Sequence, residues 1–115
     1  MRRKVEVVLS LIAENSSHQP SLEDLAQAVN LSPSRLRHLI KEVTGVSFTQ
    51  HLKLNKMREA RELLETTLLS IKEIMHIVNV QDRSHFSRDF KRCYGLTPKQ
   101  YREQNLNSKT LRIGH

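Results

Sequence analysis

Residues 21–45 read SLEDLAQAVNLSPSRLRHLIKEVTG, and residues 70–95 read SIKEIMHIVNVQDRSHFSRDFKRCYG. The two stretches follow one pattern, with an offset of 49 in their first part and of 50 in their second. The later stretch therefore carries one extra residue near its middle. Insertions concentrate in turns, so the extra residue indicates that each copy contains a turn near its middle. We therefore interpret each copy as two structural elements joined by that turn.

Each repeat begins with the signature of a helix N-terminus. Ser21 and Ser70 each stand three residues before an acidic residue, which is the spacing of a capping box. Apolar residues follow at positions i, i+3, i+4 and i+7, so each first helix has one apolar face. Asn30 and Asn79 come next, and asparagine tolerates the left-handed backbone that a tight turn commonly needs.

A second helix is predicted after the turn of each repeat. Ser32 is an N-cap followed by Pro33 at the first helical position, and Asp82 is the N-cap of the equivalent helix. Gly45 and Gly95 stand where a C-terminal stop is expected. Two helices joined by a turn of about four residues form a helix-turn-helix unit, whose second helix enters the major groove of DNA.

Further helices are predicted around the repeats, which makes the fold class all-α. Apolar residues at helical spacing predict an opening helix over residues 3–14, and we expect the first repeat to cover its apolar face. Residues 48–66 contain no glycine or proline and predict a long linker helix between the two units. A short closing helix begins at Thr97-Pro98, a cap followed by proline.

The predicted linker helix has a length that suits two neighbouring grooves. About nineteen residues at 1.5 Å each span roughly 28 Å, close to the ~34 Å between successive major-groove faces of B-DNA. A rigid strut of that length could present both second helices to one side of a duplex. We expect residues 15–20 to form a polar connection, residues 1–104 to form the DNA-binding domain and residues 105–115 to form a flexible tail.

The composition describes a small and strongly basic protein. The chain has 115 residues, a formal net charge of +7 and a pI of about 10.0, which favour a polyanionic partner such as nucleic acid. No apolar run approaches the ~20 residues of a membrane span, and the N-terminus lacks a secretory signal, so we expect a cytoplasmic protein without a membrane partner. Cys93 is the single cysteine, which excludes an internal disulfide and suits a reducing compartment.

The exposed sides of the two second helices carry the candidate DNA contacts. Arginine can donate two parallel hydrogen bonds to guanine, and serine hydroxyls are short, adaptable donors or acceptors. The N-terminal half of such a helix normally lies deepest in the groove, whereas its C-terminal end lies nearer to phosphates. An ordinary solvated helix face is the alternative interpretation for each position. The predicted base-reading residues are Ser34, Arg37, His38, Arg83, Ser84, Ser87 and Arg88, and the predicted phosphate contacts are Arg35, Lys41, Lys91 and Arg92.

From about Ser21 to Arg102 the sequence resembles the DNA-binding domain of the AraC/XylS family of bacterial transcription regulators. The most specific segments are SPSRLRHLIK at residues 32–41 and SHFSRDFKRCYGLTPKQYR at residues 84–102. The resemblance implies seven helices, with two helix-turn-helix units joined by a central helix and bound to asymmetric DNA sites in adjacent major grooves. In family members, base contacts come from positions that match Ser34, Arg37, His38, Ser84, Ser87 and Arg88.

Three positions depart from the pattern of that family. The second turn has Asn79-Val80 where the family usually has Gly-Phe, Met75 replaces a usual alanine, and His51 replaces a usual tyrosine. Asparagine can adopt the turn conformation, and methionine can adapt to an irregular gap. How the second unit sits on DNA stays open at this point.

The function predicted from these features is sequence-specific regulation of transcription on double-stranded DNA, with no cofactor and no enzymatic activity. RNA polymerase and an effector or dimerisation domain are further candidate partners. The chain is expected to be a stand-alone regulator or the DNA-binding part of a longer protein. The six histidines show neither His-x-x-x-His nor a Cys-x-x-Cys companion, so no metal site is predicted.

Two other functions stay open as alternatives. A non-specific nucleic-acid-binding protein would need the basic charge but not two matched recognition helices. An alkyl acceptor acting on damaged DNA through Cys93 would need a reactive thiol, whereas we expect a partly buried one at the end of the second recognition helix.

Overall fold

The computed structural model describes residues 1–14 and 20–113, and its regular structure in these ranges is entirely helical. Of the predicted polar connection over residues 15–20, all but Pro20 lies outside the described residues. The seven helices of the described part are α1 (Arg2–Glu14), α2 (Leu22–Ala28), α3 (Pro33–Thr44), α4 (Phe48–Thr66), α5 (Ile71–Ile77), α6 (Arg83–Tyr94) and α7 (Pro98–Ile113). The all-α prediction and the long linker helix, now α4, are confirmed.

The helices begin and end at the capping residues that the sequence predicts. Ser32 Oγ accepts a hydrogen bond of 3.1 Å from the Arg35 N–H at the start of α3. The capping box of α5 is complete, since Glu73 Oε1 accepts from the Ser70 N–H at 2.9 Å while Ser70 Oγ accepts from the Glu73 N–H at 3.0 Å. These bonds satisfy N–H groups that the first turn of a helix leaves free.

Both long helices of the repeats end in left-handed glycine, as predicted. Gly45 has φ 76° after α3 and Gly95 has φ 82° after α6, and each glycine N–H donates to the carbonyl four residues earlier. Glycine adopts this conformation without the steric cost that a Cβ brings. The two second helices therefore have the same length and the same stop.

The turns inside the two repeats have the same backbone conformation. Asn30 has φ 57° and Asn79 has φ 58°. In each turn the next residue donates back to the first helix, Leu31 N–H to Ala26 O at 2.9 Å and Val80 N–H to the equivalent carbonyl of Met75 at 2.9 Å. The second turn, which has asparagine where the family usually has glycine, therefore has the same conformation and the same hydrogen bond to the first helix as the first turn.

The chain forms two compact units, unit 1 over Met1–Asn55 and unit 2 over Lys56–His115. In unit 1, α1 packs against the first repeat, which confirms that the repeat covers the apolar face of the opening helix. The first few residues of α4 close the same core through Phe48. The buried residues of this core are Val8, Ile12, Leu22, Leu25, Ala26, Val29, Leu36, Ile40 and Phe48.

Unit 2 buries a second core around two phenylalanines of α6. The Phe90 ring lies 6.1 Å from the Phe86 ring and 5.6 Å from the Tyr101 ring of α7, and the second pair is edge-to-face. Met75, at the usual alanine position, is buried in this core at 7% exposure. The buried residues are Met57, Ala60, Leu64, Ile74, Met75, Val78, Phe86 and Phe90.

The repeat extends over more of the chain than its two helix-turn-helix units. Val5, Val8 and Ile12 of α1 are buried in unit 1, and buried residues with the same 3 and 4 residue spacing, Met57, Ala60 and Leu64, line the second half of α4 in unit 2. Helix α4 therefore serves as the closing helix of unit 1 and as the opening helix of unit 2.

The closing helix is longer than predicted. Helix α7 continues to Ile113, so residues 105–113, assigned from sequence to a flexible tail, are helical. No glycine or proline interrupts the chain between Pro98 and Gly114, so nothing in the local sequence ends the helix earlier. The last two residues of the predicted tail lie outside the described part. Among the described residues, no helix combines the length and the apolar character that crossing a membrane would require.

Candidate nucleic-acid interface

Four residues of α3 form an exposed stripe along one side of the helix. They are spaced at i, i+3, i+4 and i+7, which places them on one face of a 3.6-residue helix. Leu36 and Ile40 lie on the opposite side and are fully buried. The stripe therefore points away from the core of unit 1. Its members are Ser34, Arg37, His38 and Lys41, and all four are exposed.

Helix α6 carries the matching stripe at the same register. Phe86 and Phe90 are buried with 0% exposure on the opposite side of the helix. The residues of the stripe are 50 positions after those of α3, so the order serine, arginine, histidine, lysine becomes serine, serine, arginine, lysine. The members are Ser84, Ser87, Arg88 and Lys91, of which Ser87 is half-buried and the others are exposed.

The other predicted contact residues lie beside these stripes. Arg83 occupies the first position of α6 and is exposed there. Arg35 lies one residue after the start of the α3 stripe, at about 100° around the helix from Ser34. Arg92 follows Lys91 in the last turn of α6, and both Arg35 and Arg92 are exposed. The geometry thus separates four central positions on each helix from three flanking arginines.

Carboxylates next to the stripes limit their positive charge. Glu42 Oε2 lies 3.6 Å from Nε2 of His38, one turn later on α3, and both side chains are largely exposed. Sequence reasoning missed Glu42, although its spacing of four residues from His38 predicts such a pair. This contact places a carboxylate beside the α3 stripe.

Asp82 fixes the N-terminus of α6. Its Oδ1 accepts the His85 N–H at 2.9 Å, and Oδ2 lies 3.9 Å from Nδ1 of the same histidine. The backbone hydrogen bond from His85 lowers the pKa of the Asp82 carboxyl, with smaller contributions from the charges of His85 and Arg88. The carboxylate therefore stays ionised at neutral pH and continues to cap the helix.

The C-terminal end of α3 is held by a hydrogen-bonded threonine. Thr44 Oγ1 lies 2.7 Å from Ile40 O, 3.0 Å from Val46 O and 2.9 Å from Nε2 of His51 on α4. Burial lowers the pKa of His51, so the imidazole is neutral at physiological pH. This bond ties α3 to α4 within unit 1.

The C-terminal end of α6 packs against side chains of α4 and α7, and α7 is bonded to α4 and to the residues that follow α4. Tyr94 packs 6.3 Å from Tyr101, and the Arg61 guanidinium lies 4.9 Å from the centre of the Tyr94 ring. The Tyr101 hydroxyl donates to Oε1 of Glu65, and burial together with this carboxylate raises the Tyr101 pKa to about 12. Arg102 donates to the carbonyl of Leu69 and, at 3.2 Å, to that of Thr67. None of these contacts was predicted from sequence.

The cysteine lies differently from the prediction. Cys93 is exposed, whereas its position at the end of the second recognition helix predicts a partly buried thiol. Its spacing of seven residues from Phe86 and three from Phe90 places Cys93 on the same side of α6 as these phenylalanines, so helical spacing does not account for its exposure. Among the residues that the structure describes, no three histidine, cysteine, aspartate or glutamate side chains come together as metal ligands.

Comparison with known proteins agrees with this geometry. Residues 25–104 match a family model described as a helix-turn-helix domain. The arabinose operon regulatory protein of Escherichia coli is 34% identical over 95 residues, which are 80% of this chain and 32% of that protein. The chain spans about a third of the length of the first curated relatives that it matches.

Solved structures of transcription and response regulators are also similar to this chain. A transcriptional regulator from Chromobacterium violaceum, described as containing an AraC-type DNA-binding domain, superposes with a TM-score of 0.83 at 27% identity, covering 90% of this chain and 93% of that one. The C-terminal domain of AraT, a response regulator from Geobacillus stearothermophilus, is 35% identical with a TM-score of 0.66, covering 90% and 83% of the two chains.

Proposed function

The chain belongs to the AraC/XylS family of helix-turn-helix DNA-binding domains, and from this premise we propose that it binds double-stranded DNA sequence-specifically and regulates transcription. In this proposal α3 and α6 are the recognition helices, and each enters a major groove. The observation that carries the proposal is the pair of exposed stripes, which occupy the same register on two equivalent helices and oppose two buried faces.

The stripes offer the chemistry that reading of base edges requires. Arg37 and Arg88 each carry a guanidinium that can donate two parallel bonds to O6 and N7 of guanine. The serines at the first positions, Ser34 and Ser84, are short enough to let the helix backbone approach the groove. His38 and Ser87 complete the proposed base-reading set, together with Arg83 at the N-terminus of α6.

Phosphate contacts are proposed for the basic residues toward the edges of the stripes. Lys41 and Lys91 lie nearer the C-terminal ends of their helices, and Arg35 and Arg92 lie beside the stripes. Such contacts supply affinity and fix the register on DNA, but they carry no sequence information. Loss of a base-reading residue is therefore expected to change sequence specificity, whereas loss of a phosphate contact is expected to change the salt dependence of binding.

Selection of bound duplexes from a random pool tests the proposal directly. If both units read bases, the selected sequences contain two half-motifs about one helical turn apart. A single half-motif would assign base reading to one unit and anchoring to the other. Absence of any enriched sequence, with tight binding at low salt that is lost at physiological salt, would overturn the proposal in favour of non-specific binding.

Further partners proposed with this function are RNA polymerase and an effector or dimerisation domain. The curated relatives are about three times as long as the matched segment, which leaves room in those proteins for such a domain. Sedimentation of the present chain with its selected duplex gives the stoichiometry. A 1:1 complex on a site with two half-motifs would mean that one chain reads both.

A further inference from the structure

Lys56 connects the linker helix to the turn of the second helix-turn-helix unit. Its Nζ donates a hydrogen bond of 3.1 Å to the main-chain carbonyl of Asn79. We propose that Lys56 is a positioning residue that fixes the start of recognition helix α6, an inference that rests on the proposed function. Its role is distinct from the residues of the two stripes, because it acts on the backbone of the turn.

The turn between α5 and α6 has one main-chain group turned toward Lys56. The N–H of Asn79 donates to His76 O at 3.2 Å, and the N–H of Val80 donates to Met75 O at 2.9 Å. Both donors thus bond back to α5. With φ at 58°, Asn79 reverses the chain direction, and its carbonyl accepts from the ammonium on α4. A bond to a charged donor is stronger than one between neutral groups.

The backbone of Lys56 is held in place by the buried residues that follow it on α4. The next residue of α4, Met57, is 1% exposed, and Ala60 one turn later is fully buried in the core of unit 2. Lys56 itself is half-buried, so part of its aliphatic chain is already confined. The hydrogen bond from the Lys56 ammonium therefore restrains the position of the turn relative to α4.

The conformation of this turn determines where α6 begins. Asn79 lies three residues before Asp82, whose carboxylate caps α6 by accepting the His85 N–H at 2.9 Å. Arg83 and Ser84 follow at the N-terminus, which is the part of a recognition helix that lies deepest in a groove. A more mobile turn would leave the charge of α6 unchanged. The positions of the Arg83 and Ser84 side chains, however, would be less well defined.

The test compares Lys56→Met with Lys56→Arg in the intact chain. Methionine keeps an unbranched chain without the charge, whereas arginine keeps a donor of similar reach. Lys4→Met is the matched control, because Lys4 precedes buried Val5 on α1 as Lys56 precedes buried Met57 on α4. Each lysine-to-methionine variant removes one positive charge. Binding is measured against the selected duplex and against duplexes altered in one half-motif.

The expected result is a loss of roughly threefold to tenfold in preference for the half-motif read by unit 2 in Lys56→Met. The salt dependence of binding stays that of wild type, Lys56→Arg restores most of the preference, and Lys4→Met keeps it. In the free protein, the Val80 amide exchanges faster with solvent in Lys56→Met, because the turn opens more often.

Other results overturn the inference. Uniform weakening on all sequences, with the salt slope reduced by about one, would make Lys56 a phosphate contact. If Lys56→Met changed neither the preference for the half-motif read by unit 2 nor the exchange of the Val80 amide, the turn would not depend on Lys56. If Lys56→Met does not fold, Lys56→Gln is measured in the same way. A wild-type chain that selects no sequence defeats the proposed function, while Val80 exchange still decides whether Lys56 holds the turn.

Discussion

The side-chain amide of Asn55 on α4 donates a hydrogen bond of 3.0 Å to the main-chain carbonyl of Ile12 on α1. Asn55 is 8% exposed, and Ile12 belongs to the last turn of its helix, where carbonyls lack an intrahelical partner. The bond therefore gives one of these carbonyls a donor. It also ties the first and last helices of unit 1 together.

Replacing Asn55 with leucine should destabilise unit 1 by about 1 to 3 kcal/mol, because the side chain is of similar size but the Ile12 carbonyl loses its donor. Urea unfolding followed by circular dichroism measures the loss. Asn55→Asp should cost more at pH 7 than the leucine variant, since it places a carboxylate against the carbonyl oxygen. Equal stability of wild type and Asn55→Leu would show that the hydrogen bond to the Ile12 carbonyl adds no net stability.

Most helix boundaries of this protein could be predicted because local chemistry determines them. Asp82, Ser32 and the two left-handed glycines act within four residues of their own positions, so their effects can be derived without knowing the fold. The exposed stripes were predictable for the same reason. Once Leu36 and Phe86 are assigned to the core, helical geometry places Arg37 and Arg88 on other faces.

Contacts between distant segments could not be predicted in this way. Asn55 to Ile12, Lys56 to Asn79 and Arg102 to Leu69 each join residues at least 23 positions apart. A lone polar residue on a helix gives no local sign of its partner. Two other expectations were wrong, because Cys93 is exposed and α7 continues to Ile113. The length of α7 was open to local reasoning, since no glycine or proline stands between Pro98 and Gly114.

Arg88→Ala should weaken binding at the selected site by about 1 to 3 kcal/mol and relax the preference for one base pair. The guanidinium lies in the centre of the α6 stripe, opposite Phe86 and Phe90, so its removal leaves the core untouched. Titrations with the four duplex variants at that base pair measure the effect. Arg92→Ala is the comparison, and it should weaken all four duplexes alike. Equal weakening by Arg88→Ala would assign Arg88 to phosphate.

Lys91→Ala should weaken binding to every duplex by a similar factor and reduce the salt slope by about one. Lys91 is exposed in the last turn of α6, where a recognition helix normally approaches the backbone of DNA. Binding is measured between 50 and 200 mM salt, concentrations chosen at roughly the range over which counterion release is resolved. Lys99→Ala, a change at an exposed position of α7, is the control for charge alone. An unchanged slope in Lys91→Ala would place Lys91 away from phosphate.

His51 should make unit 1 less stable in mildly acidic solution. Burial lowers its pKa in the folded state below the ordinary value of 6.5. Above that pH both folded and unfolded chains hold neutral imidazole, so His51 adds no pH dependence. As the pH falls below 6.5, the unfolded chain binds the proton first and is stabilised, and this loss of folding stability continues until the folded-state pKa is reached.

The substitution His51→Gln separates this titration from the hydrogen bond to Thr44. Glutamine has an amide that can replace Nε2 as the partner of Thr44 Oγ1, which lies 2.9 Å away in the native protein, but it does not titrate. Urea unfolding at pH 7.5 and pH 5.5, values chosen at about one unit on either side of the ordinary pKa, gives the loss on acidification for each chain. The loss should be smaller in His51→Gln than in wild type. A loss of the same size in both would mean that protonation of His51 is not coupled to folding.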